Sequence, residues 1–169
     1  MRRHPALIPF SHHHHRALVA ARSARAATSD ADAPLAAAPE FLFFFDGAGV
    51  THFRDEEERL FPLLLEQAGA EAPEELVRAL LDHTRLHALA AQLRSGLAVE
   101  VVEAETLQSA GALLEAHIRL EERELFPLIE LHAAARLEQA LEAVPATRSP
   151  IDTGAVVDLK GVACVESNS

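Results

Sequence analysis

One residue pair able to do chemistry occurs twice in this chain. His52 and Glu56 stand four apart and are followed by Leu60, Phe61, Pro62 and Leu63; sixty-five residues later, His117 and Glu121 are followed by Leu125, Phe126, Pro127 and Leu128. On an α-helix, positions i and i+4 share a face about one turn apart, so each pair sends an imidazole and a carboxylate into the same space. His83 and His87 make a third pair at that spacing, of two imidazoles. His14 precedes the first HxxxE by 38 residues, much as His83 precedes the second by 34. A single HxxxE or HxxxH occurs in many helices as an exposed or hydrogen-bonded pair, but this combination asks for more. His14, His52, Glu56, His83, His87, His117 and Glu121 lie on four separate helical patterns, and each falls on the apolar side of its own pattern.

Burying such groups unpaired would cost several kcal/mol each, and shared cations remove that cost. Imidazole suits iron, zinc, copper and nickel, while a carboxylate can bridge two cations and offset their charge. Five imidazoles, two bridging carboxylates and an oxo or hydroxo bridge would leave one position open on a pair of octahedral irons. An open position is what a gas-binding or redox centre needs. Zinc accepts the same ligands and is not excluded.

The elements that must position these residues are helices. Leu7, Phe10, His14, Leu18 and Ala21 recur at three or four and predict a first helix from about Pro9–Ser11 to Arg25. Within the run His12 to His15, His14 shares a side with Ala17, Leu18 and Ala21, whereas His15 brings Arg22 with it; His14 is therefore the expected ligand, with His15 as substitute. His12 and His13 are expected to face solvent or cap the helix. Residues 26–39 have turn formers and no period, and read as a connection.

A second helix carries Phe45, Ala48, His52, Glu56, Leu60 and Leu63 and ends near Gly69; Gly47 and Gly49 suggest that its regular part starts at about Val50. Pro73, Glu74 and Glu75 make a good first turn for a third helix, whose inner face reads Leu76, Leu80, His83 and His87. The fourth runs from about Ala104 to Ala143, and Pro62 and Pro127 should bend the second and fourth helices alike. The expected fold is all-α: an up-down-up-down four-helix bundle over residues 1–144 with a metal site in its core, and a flexible tail over 145–169. The two halves look like a duplication.

Bulk properties narrow the partners. The 169 residues suffice for one domain and a tail, and the net charge of -11 argues against nucleic acid, which needs clustered Lys and Arg. No stretch approaches the ~20 apolar residues of a membrane span, and no signal peptide is legible at the start. Cys164 is the single cysteine, which rules out an internal disulfide and a Cys-rich metal site and points to the cytoplasm.

With those residues in place, the chain resembles the hemerythrin-like, or HHE cation-binding, proteins over roughly Arg3 to Ala134. The resemblance implies two irons, one held by His83, His87 and His117 and the other by His14 and His52, with Glu56 and Glu121 as bridges and dioxygen bound at the two-histidine iron. In the respiratory carriers the last pair is His with Asp at a spacing of five. Here it is His117 with Glu121 at four, as in many bacterial members, which points away from oxygen transport. The stretch before His52 has Gly and Ala where a large aromatic could sit, so a roomy pocket is expected. The resulting expectation is a non-haem di-iron protein that binds dioxygen or senses oxygen, nitric oxide or iron redox state. Alternatives are a di-iron enzyme acting on peroxide or nitric oxide, although the ExxH motif of ferritin-like oxygen-activating sites is absent, and a metal-loaded interaction module.

Overall fold

The computed structural model describes residues 3–28, 30, 32–68 and 71–142, and over these the chain forms four helical rods. A short 3-10 turn, Pro5–Leu7, leads into α1 (Ile8–Arg25). The second rod, α2, spans 32–68, followed by α3 (Glu74–Ala98) and by α4, spanning 104–142. The rods alternate in direction, with α1 against α2 and α4 and with α3 against α4, giving the expected all-α up-down-up-down bundle. The expected tail, 145–169, lies outside the described residues. Among the described residues, no helix is long and apolar enough to cross a membrane.

Residues 26–39 are not wholly a connection, because α2 begins at Asp32 and takes in Pro39. Its early turns bury Pro34, Ala38, Phe41, Leu42 and Phe45 against the rest of the bundle, and that burial outweighs the local cost of proline and glycine. Over residues 32–45 apolar Ala, Pro, Leu and Phe fill every position except Asp32 and Glu40, so sequence periodicity had no polar face to register.

The distortions expected at Pro62 and Pro127 are single π-turns. Phe61 N–H bonds to Glu56 O and Phe126 N–H to Glu121 O, each an i→i+5 bond. A proline carries no amide donor and its ring crowds the carbonyl four residues back; one widened turn ahead of it absorbs both faults while the rod continues. The residue opening each widened turn is the glutamate of an HxxxE pair. A third π-turn, Phe45–Gly49, occurs in α2 alone, at the glycines.

The core is two apolar clusters with a polar layer between them. One gathers Ala17, Ala21, Phe41, Phe45, Phe53, Leu86 and Leu114; the other gathers Leu7, Phe10, Leu60, Phe61, Leu125 and Phe126. On α3 the inner face is Leu76, Ala79, His83, Leu86, Ala90 and Leu93, while Leu80 and His87 are exposed. From His83, the residue three on and the residue four on fall to opposite sides of the helix face; Leu86 takes the core side and His87 the other.

Close approach of α1 and α4 depends on Gly111. A Cβ there would lie 2.5 Å from Ala21 O and 2.9 Å from Ala24 Cβ, and the carbonyl belongs to helix backbone that cannot swing aside. Gly111→Ala gains up to about 1 kcal/mol of helix propensity but forces the rods apart. The expected net effect is a loss of roughly 1–3 kcal/mol in urea denaturation, as for other overpacked cores.

Candidate metal centre

Between the two apolar clusters, α1 supplies His14, α2 supplies His52 and Glu56, α3 supplies His83, and α4 supplies His117 and Glu121. All six side chains are buried, and both glutamates are 0 % exposed. They form two groups of four donors: His14, His52, Glu56 and Glu121, and Glu56, His83, His117 and Glu121. Both carboxylates belong to both groups.

The two groups have matching composition, each with two histidines and both glutamates. His14 Nε2 lies 2.8 Å from His52 Nε2, and His83 Nε2 lies 3.2 Å from His117 Nε2. Glu56 Oε1 is 3.0 Å from His52 Nε2 and 3.8 Å from His14 Nε2, while its Oε2 is 3.5 Å from His83 Nε2. Glu121 Oε2 reaches His14 Nε2 at 3.1 Å and His117 Nε2 at 3.2 Å. Neighbouring donors around one cation stand at such separations when each bond to it is about 2.0–2.2 Å.

Whether these residues suit a metal is tested by their hydrogen bonding. Glu56 Oε1 and Oε2 and Glu121 Oε1 and Oε2 are all buried without a hydrogen-bond partner. Four orphaned carboxylate oxygens beside two pairs of facing imidazole nitrogens would be costly in a core that nothing else joined, and cations satisfy them together. The cluster fits metal ions of the class that accepts imidazole and carboxylate.

Aromatic rings hold the imidazoles in place. Phe126 stacks on His14 at 5.3 Å and Phe61 stacks on His83 at 5.8 Å, so the phenylalanine of each LFPL segment covers a histidine of another rod. Phe53 breaks the symmetry: it stacks on His83 at 4.0 Å, meets His117 edge-on at 5.4 Å, and meets His87 at 6.1 Å. Ile118 is its counterpart in the other half.

His87 is thus not gathered with the other six. It is exposed, edge-on to Phe45 at 5.3 Å, with buried Phe53 in contact both with it and with His83 and His117. On the first helix His14 is buried and His15 is exposed, which decides between the two. His13 does not face solvent as expected. It is half-buried, edge-on to His52 at 5.5 Å, and burial followed by the nearby His52 lowers its pKa.

His13 lines a narrow apolar cavity with His14, His52, His117, Phe45 and Ala48. Its volume for the centre of a water-sized sphere is about 10 Å³, near the room one water needs. The cavity is narrow where a roomy pocket was expected, and Phe44, Phe45 and Phe53 line it together with Ala48 and Gly49.

Glu57 and Glu122 each reach a histidine of another rod. Glu57 Oε1 lies 2.7 Å from His83 Nδ1, and Glu122 Oε1 lies 2.7 Å from His14 Nδ1. The signal was present in the sequence as a second glutamate directly after each HxxxE, but nothing in one helix says which histidine of another it meets.

Charges inside the cluster shift together. Burial opposes a proton on His14, but Glu121, Glu122 and Glu56 outweigh it and push its pKa up to about 11. Burial likewise opposes a proton on His83, and Glu56 and Glu121 overcome it to raise the pKa. Burial lowers that of His117. Burial acts to raise Glu56, yet His52, His14 and His83 hold it well below the usual carboxylate range. Glu122, against burial, is held at about 2 by His14 and Arg3.

The family model described as the hemerythrin HHE cation binding domain matches residues 6–129, which take in the first three rods, the first part of the fourth and the whole cluster. No curated protein and no solved structure matches the chain.

In the metal-free chain, His14 is raised from 6.5 to about 11. Its contribution to stability is therefore complete below 6.5 and is lost as pH rises through about 11. Glu122, lowered from 4.5 to about 2, contributes above 4.5 and loses that contribution as pH falls through about 2. The melting temperature of metal-free protein should fall from pH 6.5 toward pH 11, and His14→Gln should flatten that slope in a circular dichroism melt. At neutral pH a cation must displace the His14 proton, so calorimetric titrations in buffers of different ionisation enthalpy should report net proton release.

Proposed function

This chain belongs to the hemerythrin HHE cation-binding domain family, and from that premise we propose that it is a non-haem di-iron protein that takes up a small diatomic ligand, dioxygen or nitric oxide, as a binding or sensing module. One observation carries the reading: all four oxygens of two fully buried carboxylates lack hydrogen-bond partners while lying between two facing imidazole pairs. His14 and His52 would hold one iron, His83 and His117 the other, and Glu56 and Glu121 would bridge them. Iron bound there supplies electrons to a diatomic ligand.

The surrounding residues act by exclusion and placement. The cavity beside His14 and His52 is apolar and about one small molecule wide. An uncharged diatomic enters such a space at little desolvation cost, while larger or charged molecules are kept out. On this reading the ligand would sit where His14, His52 and His117 line the cavity, next to the two-histidine half to which the family resemblance assigns it. Imidazole supplies four of the six ligands, in contrast to the carboxylate-rich shells of oxygen-activating ferritin-like enzymes, which favours binding or sensing over turnover. A reducing, cytoplasmic setting that keeps the iron ferrous belongs to the same proposal.

The family resemblance gives one iron a third imidazole, from His87. Here Phe53 packs between that ring and the cluster, and the reading uses six ligands.

Anaerobic reconstitution with ferrous iron should load two irons per chain, and oxygen exposure should produce near-ultraviolet absorption of bridged ferric iron. His52→Ala should abolish that absorption and lower the iron content, whereas His87→Ala should keep both. Fewer than one iron per chain in the parent protein would overturn the reading, and native protein isolated with zinc alone would overturn its choice of metal.

A further inference from the structure

Each HxxxE pair in this chain is extended by one more glutamate. Glu57 follows Glu56 and Glu122 follows Glu121. One residue further along a helix is about 100° further round it, so the bridge faces the bundle axis while its neighbour faces the adjacent rod. The adjacent rod differs in the two cases: Glu57 on α2 meets His83 on α3, and Glu122 on α4 meets His14 on α1.

Both contacts are 2.7 Å and both are made to Nδ1, the ring nitrogen facing away from the donor cluster. A carboxylate at Nδ1 accepts its proton, which leaves Nε2 as the nitrogen with a free lone pair and fixes the plane of the ring. His52 and His117 lack this support, since their Nδ1 atoms are buried without a hydrogen-bond partner. Each group of four donors therefore contains one buttressed and one unbuttressed imidazole.

The two buttresses are themselves held differently. Arg3 Nη2 donates to Glu122 Oε2 at 2.5 Å and to Glu122 O at 3.1 Å. The same guanidinium lies 3.5 Å from Glu130 Oε1 and sits over the Phe126 ring at 5.3 Å, the ring that stacks on His14. Arg3 thus touches both groups that fix His14. The Glu57 side chain is 42 % exposed.

We propose that Glu57 and Glu122 are positioning residues, each fixing a ligand histidine on a neighbouring rod, and that Arg3 anchors Glu122 so that the His14 half of the centre depends on the N-terminal segment. The inference rests on the reading of the six buried residues as metal ligands. It adds to that reading a division of labour: one half of the centre is set by the N-terminal arginine and Glu122, the other by a water-facing glutamate.

The test uses the full chain titrated with Co²⁺, whose visible absorption reports each binding step. Proton NMR of the loaded protein then reads the solvent-exchangeable Nδ1–H signals that the ion shifts. Glu122→Gln and Glu57→Gln keep the shape and remove the charge. Arg3→Met keeps the apolar stem over Phe126. Loss of a carboxylate behind a ligand histidine is expected to weaken the affected step about 10–100-fold.

Glu122→Gln and Arg3→Met should weaken the same step and speed exchange of the His14 Nδ1–H, leaving His83 as it was; Glu57→Gln should do the converse. Parent protein that binds two Co²⁺ with all three variants binding alike would overturn this inference alone. So would equal weakening of both steps by every variant, the mark of a general loss of structure. Parent protein that binds no Co²⁺ would overturn the metal reading beneath it.

Discussion

Six ionisable side chains in one layer of an apolar bundle set the terms for the rest of this molecule. Each would be costly alone, and they converge, the donor atoms of each group of four lying within 4.8 Å of one another. The hydrogen bonding is incomplete: the Nδ1 atoms of His14 and His83 find partners, while those of His52 and His117 and the four oxygens of Glu56 and Glu121 do not. Against the effect of burial, the neighbouring carboxylates raise the pKa of His14 and of His83 in the metal-free chain. The two apolar clusters that close the layer from either end keep out the water that would otherwise solvate it.

Repetition of one short segment brings this about within one chain. The same segment, used twice, delivers a buried histidine, a buried glutamate, a second glutamate in contact with a histidine of another rod and a ring that stacks on that histidine. The proline in each copy opens a π-turn at the bridge, so the element that looks like a helix fault also sets the register of the ligand. The copies then diverge where function would need it. Phe53 has Ile118 as its counterpart, and a third π-turn occurs only in α2. A symmetric frame thereby carries an asymmetric centre.

Close contact between the rods is the second requirement. Gly111 lets α4 approach the backbone of α1, and this contact holds His14 within reach of a carboxylate on α4. A layer of converging polar groups tolerates little displacement, since donors spaced for one cation cannot also be spaced for a bundle a methyl group wider. Packing far from the cluster is therefore part of its chemistry.

Periodicity and the two HxxxE pairs were enough to read the helical class, the four rods, the pairing of the halves and six residues of the cluster, because i and i+4 spacing is a local property that any helix enforces. The choice of His14 over His15 followed from the same rule. Other features depend on contacts between rods. That α2 begins at Asp32 follows from burial of its alanines and phenylalanines, which have no period of their own. Whether α3 turns His87 or Leu86 inward is a matter of tens of degrees of rotation, and both choices leave a plausible stripe in the sequence. The core settled it by taking Leu86, with Phe53 filling the space beside His83. Likewise, a glutamate after each bridge is visible in one dimension, but its partner is a histidine 26 residues away in one case and 108 in the other. Sequence determined which groups lie on each helix face; only the tertiary structure decided how far each helix is turned, because rotation about a helix axis is set by what packs against it.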